Sequence, residues 1–176
     1  MQLSFPTDAV VVVAGVPGAG KTTLIRRAVD RETVRVVDTD DRREAGATRL
    51  LYLRHYVRIV AAIAGRRPVV IHSRGTSAAG RRVIALLAAL RGRPAHLVLL
   101  DAGRGEAEAG QRARGRLVAA EEMDRQVARW HRLLARGPNG DEGWASVTVL
   151  DRSQAARTET FAFRATAPRP VAAATI

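Results

Sequence analysis

An α/β fold with a mainly parallel sheet is what this sequence predicts, and three observations carry the prediction. Short apolar runs alternate with longer amphipathic stretches along the chain. The apolar runs are uniform rather than alternating, as strands are when both faces of their sheet are covered. The stretches between them repeat apolar residues every three or four positions, as a helix with one buried face does. Strand–helix alternation of this kind gives parallel strands joined by right-handed crossovers.

Ala9–Ala14 reads as the first strand and Lys21–Val29 as the helix that follows it. Val34–Val37 is the second strand, with Arg35 marking an edge position. Thr48–Ala64 reads as a helix with Leu50, Leu53, Val57, Val60 and Ala64 on one stripe. Pro68–His72 is the third strand, and Ser77–Leu90 a helix with Val83, Leu87 and Leu90 facing the core. His96–Leu100 is the fourth strand. Glu121–Ala135 is a helix that turns Met123, Val127, Trp130 and Leu134 inward, so Trp130 reads as core and His131 faces elsewhere. Gly137-Pro138-Asn139-Gly140 breaks that helix before the fifth strand, Val147–Leu150. Residues 1–164 are expected to form one domain with a lid at about 104–120, and the Ala/Pro-rich 165–176 a mobile tail.

The chain has 176 residues, 47% of them hydrophobic, enough to bury a core and too apolar for general disorder. It has no cysteine, which excludes disulfides and cysteine metal sites. The early apolar run Ala9–Val16 is far too short to span a membrane, and no basic segment precedes it. A cytoplasmic protein is therefore expected. The net charge of +12 permits nucleic acid or other anions as partners. Arginine is spread through every helix, however, and aromatics at 4% leave few platforms for stacking bases, so nucleic acid is not favoured. Of the 29 basic residues, 28 are arginine and Lys21 alone is lysine.

That lysine lies in Gly15-Val16-Pro17-Gly18-Ala19-Gly20-Lys21-Thr22, which is G-x-x-x-x-G-K-[ST] between an apolar strand and an amphipathic helix. Glycines let the backbone curl into a ring of inward N–H groups, and a helix N-terminus there binds phosphate oxygens. Gly15, Pro17, Gly18, Ala19, Gly20, Lys21, Thr22 and Thr23 are the nucleotide-binding candidates. In this arrangement Lys21 reaches the β- and γ-phosphates and the Thr22 hydroxyl meets Mg²⁺. The cradle accepts a compact ammonium and not a planar guanidinium, which accounts for a lysine surviving here alone. A dinucleotide-binding reading fails, because Thr23 stands where its third glycine would be.

Val36-Val37-Asp38-Thr39-Asp40-Asp41-Arg42-Arg43 follows the second strand. Ligands of open α/β sheets sit beyond the carboxyl ends of strands, so these carboxylates are expected in the same crevice as the cradle. A phosphoryl acceptor needs a carboxylate to orient its hydroxyl and take its proton. The alternative is an Asp40 or Asp41 that merely starts a helix.

The cradle together with V-D-T-D-D-R-R resembles the P-loop kinases grouped with polynucleotide 5′-kinase, zeta toxins and chloramphenicol phosphotransferase, and bacterial ATP-binding proteins of the AAA type. The resemblance covers roughly residues 9–152. It implies a P-loop NTPase fold with strand order 2-3-1-4-5, ATP and Mg²⁺ as cofactors, and transfer of the γ-phosphoryl to a hydroxyl. By residue match it implies Asp40 as the catalytic carboxylate and Arg43 as a holder of the acceptor. Asp38 then joins the Mg²⁺ water shell or the acceptor pocket, and the choice among Asp38, Asp40 and Asp41 stays open. Gly110-Gln111-Arg112-Ala113-Arg114-Gly115-Arg116 resembles the lid of the same kinases. Arg112 and Arg116, four apart, share a helix face and are the catalytic candidates; Arg114 is a nucleotide-binding candidate, and Arg104 a weaker one for the lid.

The third strand departs from that pattern. Many P-loop proteins end it with an Asp that holds Mg²⁺ through water, whereas here His72 stands in Val69-Val70-Ile71-His72-Ser73-Arg74. Imidazole is a poor Mg²⁺ ligand, so Asp38 or Asp40 is expected to supply the acid. His72 and Arg74 are assigned to the acceptor pocket; the alternative for His72 is a hydrogen-bonded histidine at a strand end. The expected acceptor is a small molecule. The alternatives are a nucleic-acid or nucleotide hydroxyl, or an ATPase module with no acceptor but water.

Overall fold

Four consecutive valines, Val10–Val13, cannot share one side of a strand, because successive side chains point to opposite faces. They are all buried only if both faces of the sheet are covered, and in the computed structural model all four are. The structure describes residues 1–38, 49–113, 115, 118–137 and 142–165, with the backbone alone at 49–53.

The elements in chain order are β1 (Gln2–Pro6), β2 (Val10–Gly15), α1 (Lys21–Ala28), β3 (Arg35–Val37), α2 (Arg49–Ala64), β4 (Val69–Ser73) and α3 (Ala78–Leu90). Then come β5 (Ala95–Leu100), α4 (Arg104–Arg112), α5 (Ala120–Arg136), β6 (Ser146–Leu150), α6 (Arg152–Arg157) and β7 (Thr160–Arg164). Five strands form a parallel sheet in the order β3-β4-β2-β5-β6. This is the order that the resemblance implied. Val10 stands opposite Val69 on β4 and Ala95 on β5, so β2 is the central strand. β3 is an edge and Arg35 on it is exposed, as the sequence suggests. Right-handed crossovers place α1 on one face and α2, α3 and α5 on the other. Among the described residues, no helix is long and apolar enough to cross a membrane.

Two helical stripes differ from expectation. On α2 the core-facing residues are Ile59, Ala62 and Ile63, while Val57 is 58% exposed and Val60 is also exposed. On α3 they are Ile84, Ala85 and Ala88, while Leu90 is 72% exposed and Val83 is exposed too. Both helices are apolar on more than one face, so spacing alone admits two stripes. The buried faces contain the alanines, which let a helix lie close to the sheet. On α5, Met123 and Trp130 are buried and Val127 and Leu134 pack partly against the core, as expected. Trp130 is fully buried and donates its indole N–H to Asp101, 3.1 Å away, and His131 is exposed.

A second sheet lies outside the sequence expectation. β1 and β7 pair in parallel, Gln2 opposite Thr160 through Pro6 opposite Arg164. Their apolar residues alternate, with Leu3 and Phe5 on one strand and Phe161 and Phe163 on the other. Phe5 packs its ring on Phe161, Phe163 and His96. Five-residue alternations at the chain ends are too short to stand out as strands by pattern alone.

Arg93 ties the base of the sheet together. Its guanidinium donates to the carbonyls of Asp8 at 2.6 Å, Ile63 at 2.7 Å, Gly65 at 2.8 Å and Arg67 at 2.6 Å. The last carbonyls of α2 have no intrahelical donor, and a planar fork of donors suits them. Replacing Arg93 by Ala is expected to lower stability by about 3 kcal/mol in urea unfolding, since charged hydrogen bonds to buried carbonyls are lost. Arg93→Lys should recover little of that, because one ammonium cannot span these acceptors.

Candidate active site

β2 ends at Gly15, and the chain then turns into α1 through Val16–Gly20. Gly18 and Gly20 have φ of 87° and 93°, conformations that strain any residue with a side chain. Gly20 caps α1 without a side-chain hydrogen bond, and the first turn contains no acidic residue. A helix N-terminus capped by glycine suits an anion. Lys21 is only 5% exposed. Its ammonium donates to the carbonyls of Gly15 at 2.9 Å and Val16 at 3.0 Å. Those bonds fold the lysine over its own loop. Pro17 and Thr22 are half-buried, Ala19 is buried and Thr23 is exposed.

α4 rests directly on the outside of this loop. A Cβ on Gly110 would come 2.3 Å from the Gly18 carbonyl oxygen, so only glycine permits the contact. Gln111 is buried beside it. Its side-chain amide donates to the Pro17 carbonyl at 3.3 Å, and its side-chain oxygen accepts from the Val118 N–H at 2.8 Å. One side chain thus ties the cradle, α4 and the segment leading into α5. Sequence reasoning assigned Gln111 no role; its signal was a lone neutral amide in an arginine-rich segment. Arg112, the last residue of α4, is exposed next to it. Arg104 pairs with Glu108 at 2.9 Å and Asp124 at 2.6 Å, which braces α4 against α5. Arg114 and Arg116 lie outside the described residues.

On the other side of β2, β4 carries His72 to the level of Val13. His72 is buried, and its Nδ1 lies 2.6 Å from a carboxylate oxygen of Asp38, which follows β3. The structure therefore brings these two predicted residues together. Arg74 is half-buried in the next turn. Asp40, Asp41 and Arg43 lie outside the described residues. Two neighbours of this turn went unassigned from sequence. A Cβ on Gly75 would come 2.2 Å from the Ala14 side chain, so this turn packs against the residue before the cradle. Arg81 donates to the Gly75 carbonyl and pairs with Glu142 at 2.5 Å, with both side chains buried.

A five-stranded parallel sheet with a glycine-ringed lysine at the carboxyl end of its central strand defines a P-loop NTPase. The chain belongs to the family described as AAA domain, which matches residues 10–136. Among solved structures, it is similar to a gluconokinase from Sinorhizobium meliloti 1021, with 16% identity and a TM-score of 0.61 over 85% of this chain and 86% of that one. It is also similar to a chain of the Pnkp1/Rnl/Hen1 RNA repair complex, with 17% identity and a TM-score of 0.62 over 76% of this chain and 47% of that one. Chaetomium thermophilum Kti12, in complex with ADP-AlF3, matches with 20% identity and a TM-score of 0.53 over 85% of this chain and 94% of that one. No curated protein sequence matches.

Gln111→Ala is expected to cost about 2 kcal/mol in urea unfolding, because the Pro17 carbonyl and Val118 N–H lose their partner. The Glu142 carboxyl has a pKa below the ordinary value: burial works to raise it, but hydrogen bonds from Arg81 and Trp144 prevail. A depressed carboxylate adds stability above its unfolded pKa and loses it as pH falls through the folded value. The stability gap between wild type and Glu142→Gln should therefore hold near neutral pH and close as pH drops below the ordinary glutamate value of 4.5. Denaturant midpoints across that range measure it.

Proposed function

We propose that the protein is an ATP-dependent phosphotransferase that moves the γ-phosphoryl of ATP to a hydroxyl of a small-molecule acceptor. One observation carries the reading: a buried lysine inside a glycine ring, at a helix N-terminus capped by glycine. In this reading Lys21 turns from its loop carbonyls to the β- and γ-phosphate oxygens. The acceptor oxygen forms a bond to the γ-phosphorus as the bond to the ADP oxygen breaks. The acceptor proton passes to the Asp40 carboxylate, with Arg43 and Arg74 holding the acceptor. Arg112, Arg114 or Arg116 closes on the charge that spreads over the γ-phosphoryl oxygens.

The residues fit a Mg²⁺ ion in kind. The Thr22 hydroxyl and the Asp38 carboxylate are hard oxygen donors, and Mg²⁺ in such sites keeps several waters and phosphate oxygens. Thr22 would hold it directly and Asp38 through water. Bound Mg²⁺ supplies charge neutralisation between the β- and γ-phosphates. His72 orients Asp38 from the strand position where a carboxylate is common. The likeness to a gluconokinase supports a small acceptor, and the likeness to the RNA repair complex keeps a nucleic-acid hydroxyl as the second reading.

Asp40→Asn is expected to keep ATP affinity and lose phosphoryl transfer by about 10²-fold or more, as loss of a general base does. Lys21→Ala should weaken both. Calorimetry for ATP binding and release of labelled product from γ-labelled ATP measure the two. Full ATP affinity in Lys21→Ala would overturn the cradle assignment, and unchanged transfer in Asp40→Asn the role of that carboxylate.

A further inference from the structure

Between α3 and α5 lies a cavity of about 660 Å³. Arg81 and Arg82 line it from α3, and Arg129, Arg132 and Arg136 from α5; Glu142 is the acid among the described lining residues. Arg81 and Glu142 neutralise each other at 2.5 Å and form a fixed floor. The other four arginines form no ion pair among the described residues.

The bland explanation is a solvated basic helix face, and it meets one difficulty. The N-terminal half of α5 balances its charges, with Arg125 on Glu122 at 2.9 Å and Asp124 on Arg104 at 2.6 Å. From Arg125 to Arg136 the helix contains no acid at all, and Arg129, Arg132 and Arg136 stack on one face. A helix C-terminus favours cations, which accounts for Arg136. Arg82, in the second turn of α3, lies within reach of the Glu142 carboxylate, and Arg132 has no such partner among the described residues. Four exposed guanidiniums thus line one concavity of small-ligand size, with Glu142 acting on Arg82 and Glu122 on Arg129, and no carboxylate among the described residues pairing with Arg132 or Arg136. Guanidinium forks match phosphate oxygens two at a time, and four of them exceed what one carboxylate can engage.

The cavity also has an address. Thr76 lines it, and Thr76 follows Gly75, whose missing Cβ lets the turn lie on Ala14 beside the cradle. The cavity thus adjoins the turn at the carboxyl ends of β2 and β4. We propose that it binds the phosphate end of a phosphate-bearing small molecule, and that this molecule is the acceptor whose hydroxyl reaches the cradle. The second half rests on the phosphotransferase reading above; the anion site does not.

Inorganic pyrophosphate is the probe, titrated calorimetrically without Mg²⁺. Wild type is expected to bind two per chain, one in the cradle and one in the cavity. Lys21→Ala should keep the cavity site. The triple variant Arg82→Ser, Arg132→Ser and Arg136→Ser should lose it by about tenfold or more while ATP affinity stays unchanged. A single pyrophosphate per wild-type chain, abolished by Lys21→Ala, overturns the anion site. If the triple variant does not fold, phenylglyoxal modification of wild type decides. Protection of Arg132 and Arg136 by pyrophosphate supports the site, and equal modification with and without it overturns it. Wild type that transfers phosphoryl to phosphate-free acceptors as well as to their phosphorylated forms overturns the acceptor assignment and leaves the anion site standing. No transfer to any acceptor defeats the phosphotransferase reading, again without touching the pyrophosphate count. A 5′-hydroxyl oligonucleotide that displaces pyrophosphate from the cavity and binds there more tightly overturns the small-molecule class.

Discussion

Complete burial of β2 on both faces is the constraint on which the rest depends. A strand of valines with no polar face must have helices on both sides and a strand on each edge. The chain meets this by leaving β2 toward one edge, returning through β4, and crossing β2 to reach β5. Strand order reverses at β2, which opens a crevice at its carboxyl end. The glycine ring sits in that crevice because the loop that forms it, residues 16–20, directly follows the buried strand. Its position follows from topology.

The cradle is not a free-standing loop. It is held from outside by α4, through Gly110 on Gly18 and Gln111 on Pro17. It is held from the side by the turn at Gly75, which Arg81 and Glu142 fix in place. A phosphate site built from backbone N–H groups works only if the backbone keeps its curvature when empty. Lys21, bonded to two carbonyls of its own loop, adds to that hold.

Much of this was legible in the residues. The five strands of the main sheet, the cradle and the core role of Trp130 all follow from local pattern, because burial on two faces writes itself as an unbroken apolar run. Helix faces were harder. Val57 and Ile59 are both apolar, and nothing within α2 says which one meets the sheet; packing against α3 and the strands decides it. The pairing of β1 with β7 joins residues far apart in the chain, and their five-residue alternations give little local signal. Gln111 was invisible for a related reason, since its partners lie on three separate segments. The pairing of His72 with Asp38 was half legible: each was singled out, and only adjacency of β3 and β4 brings them within 2.6 Å.

The solitary lysine has a practical side. Among its side chains, the sequence offers acylating and carbamylating reagents a single amine, and it is 5% exposed inside the glycine-rich cradle. Amine chemistry on this protein is therefore a site-specific reporter by composition. The mass of one peptide distinguishes a blocked cradle from an open one, with no background from surface lysines to subtract.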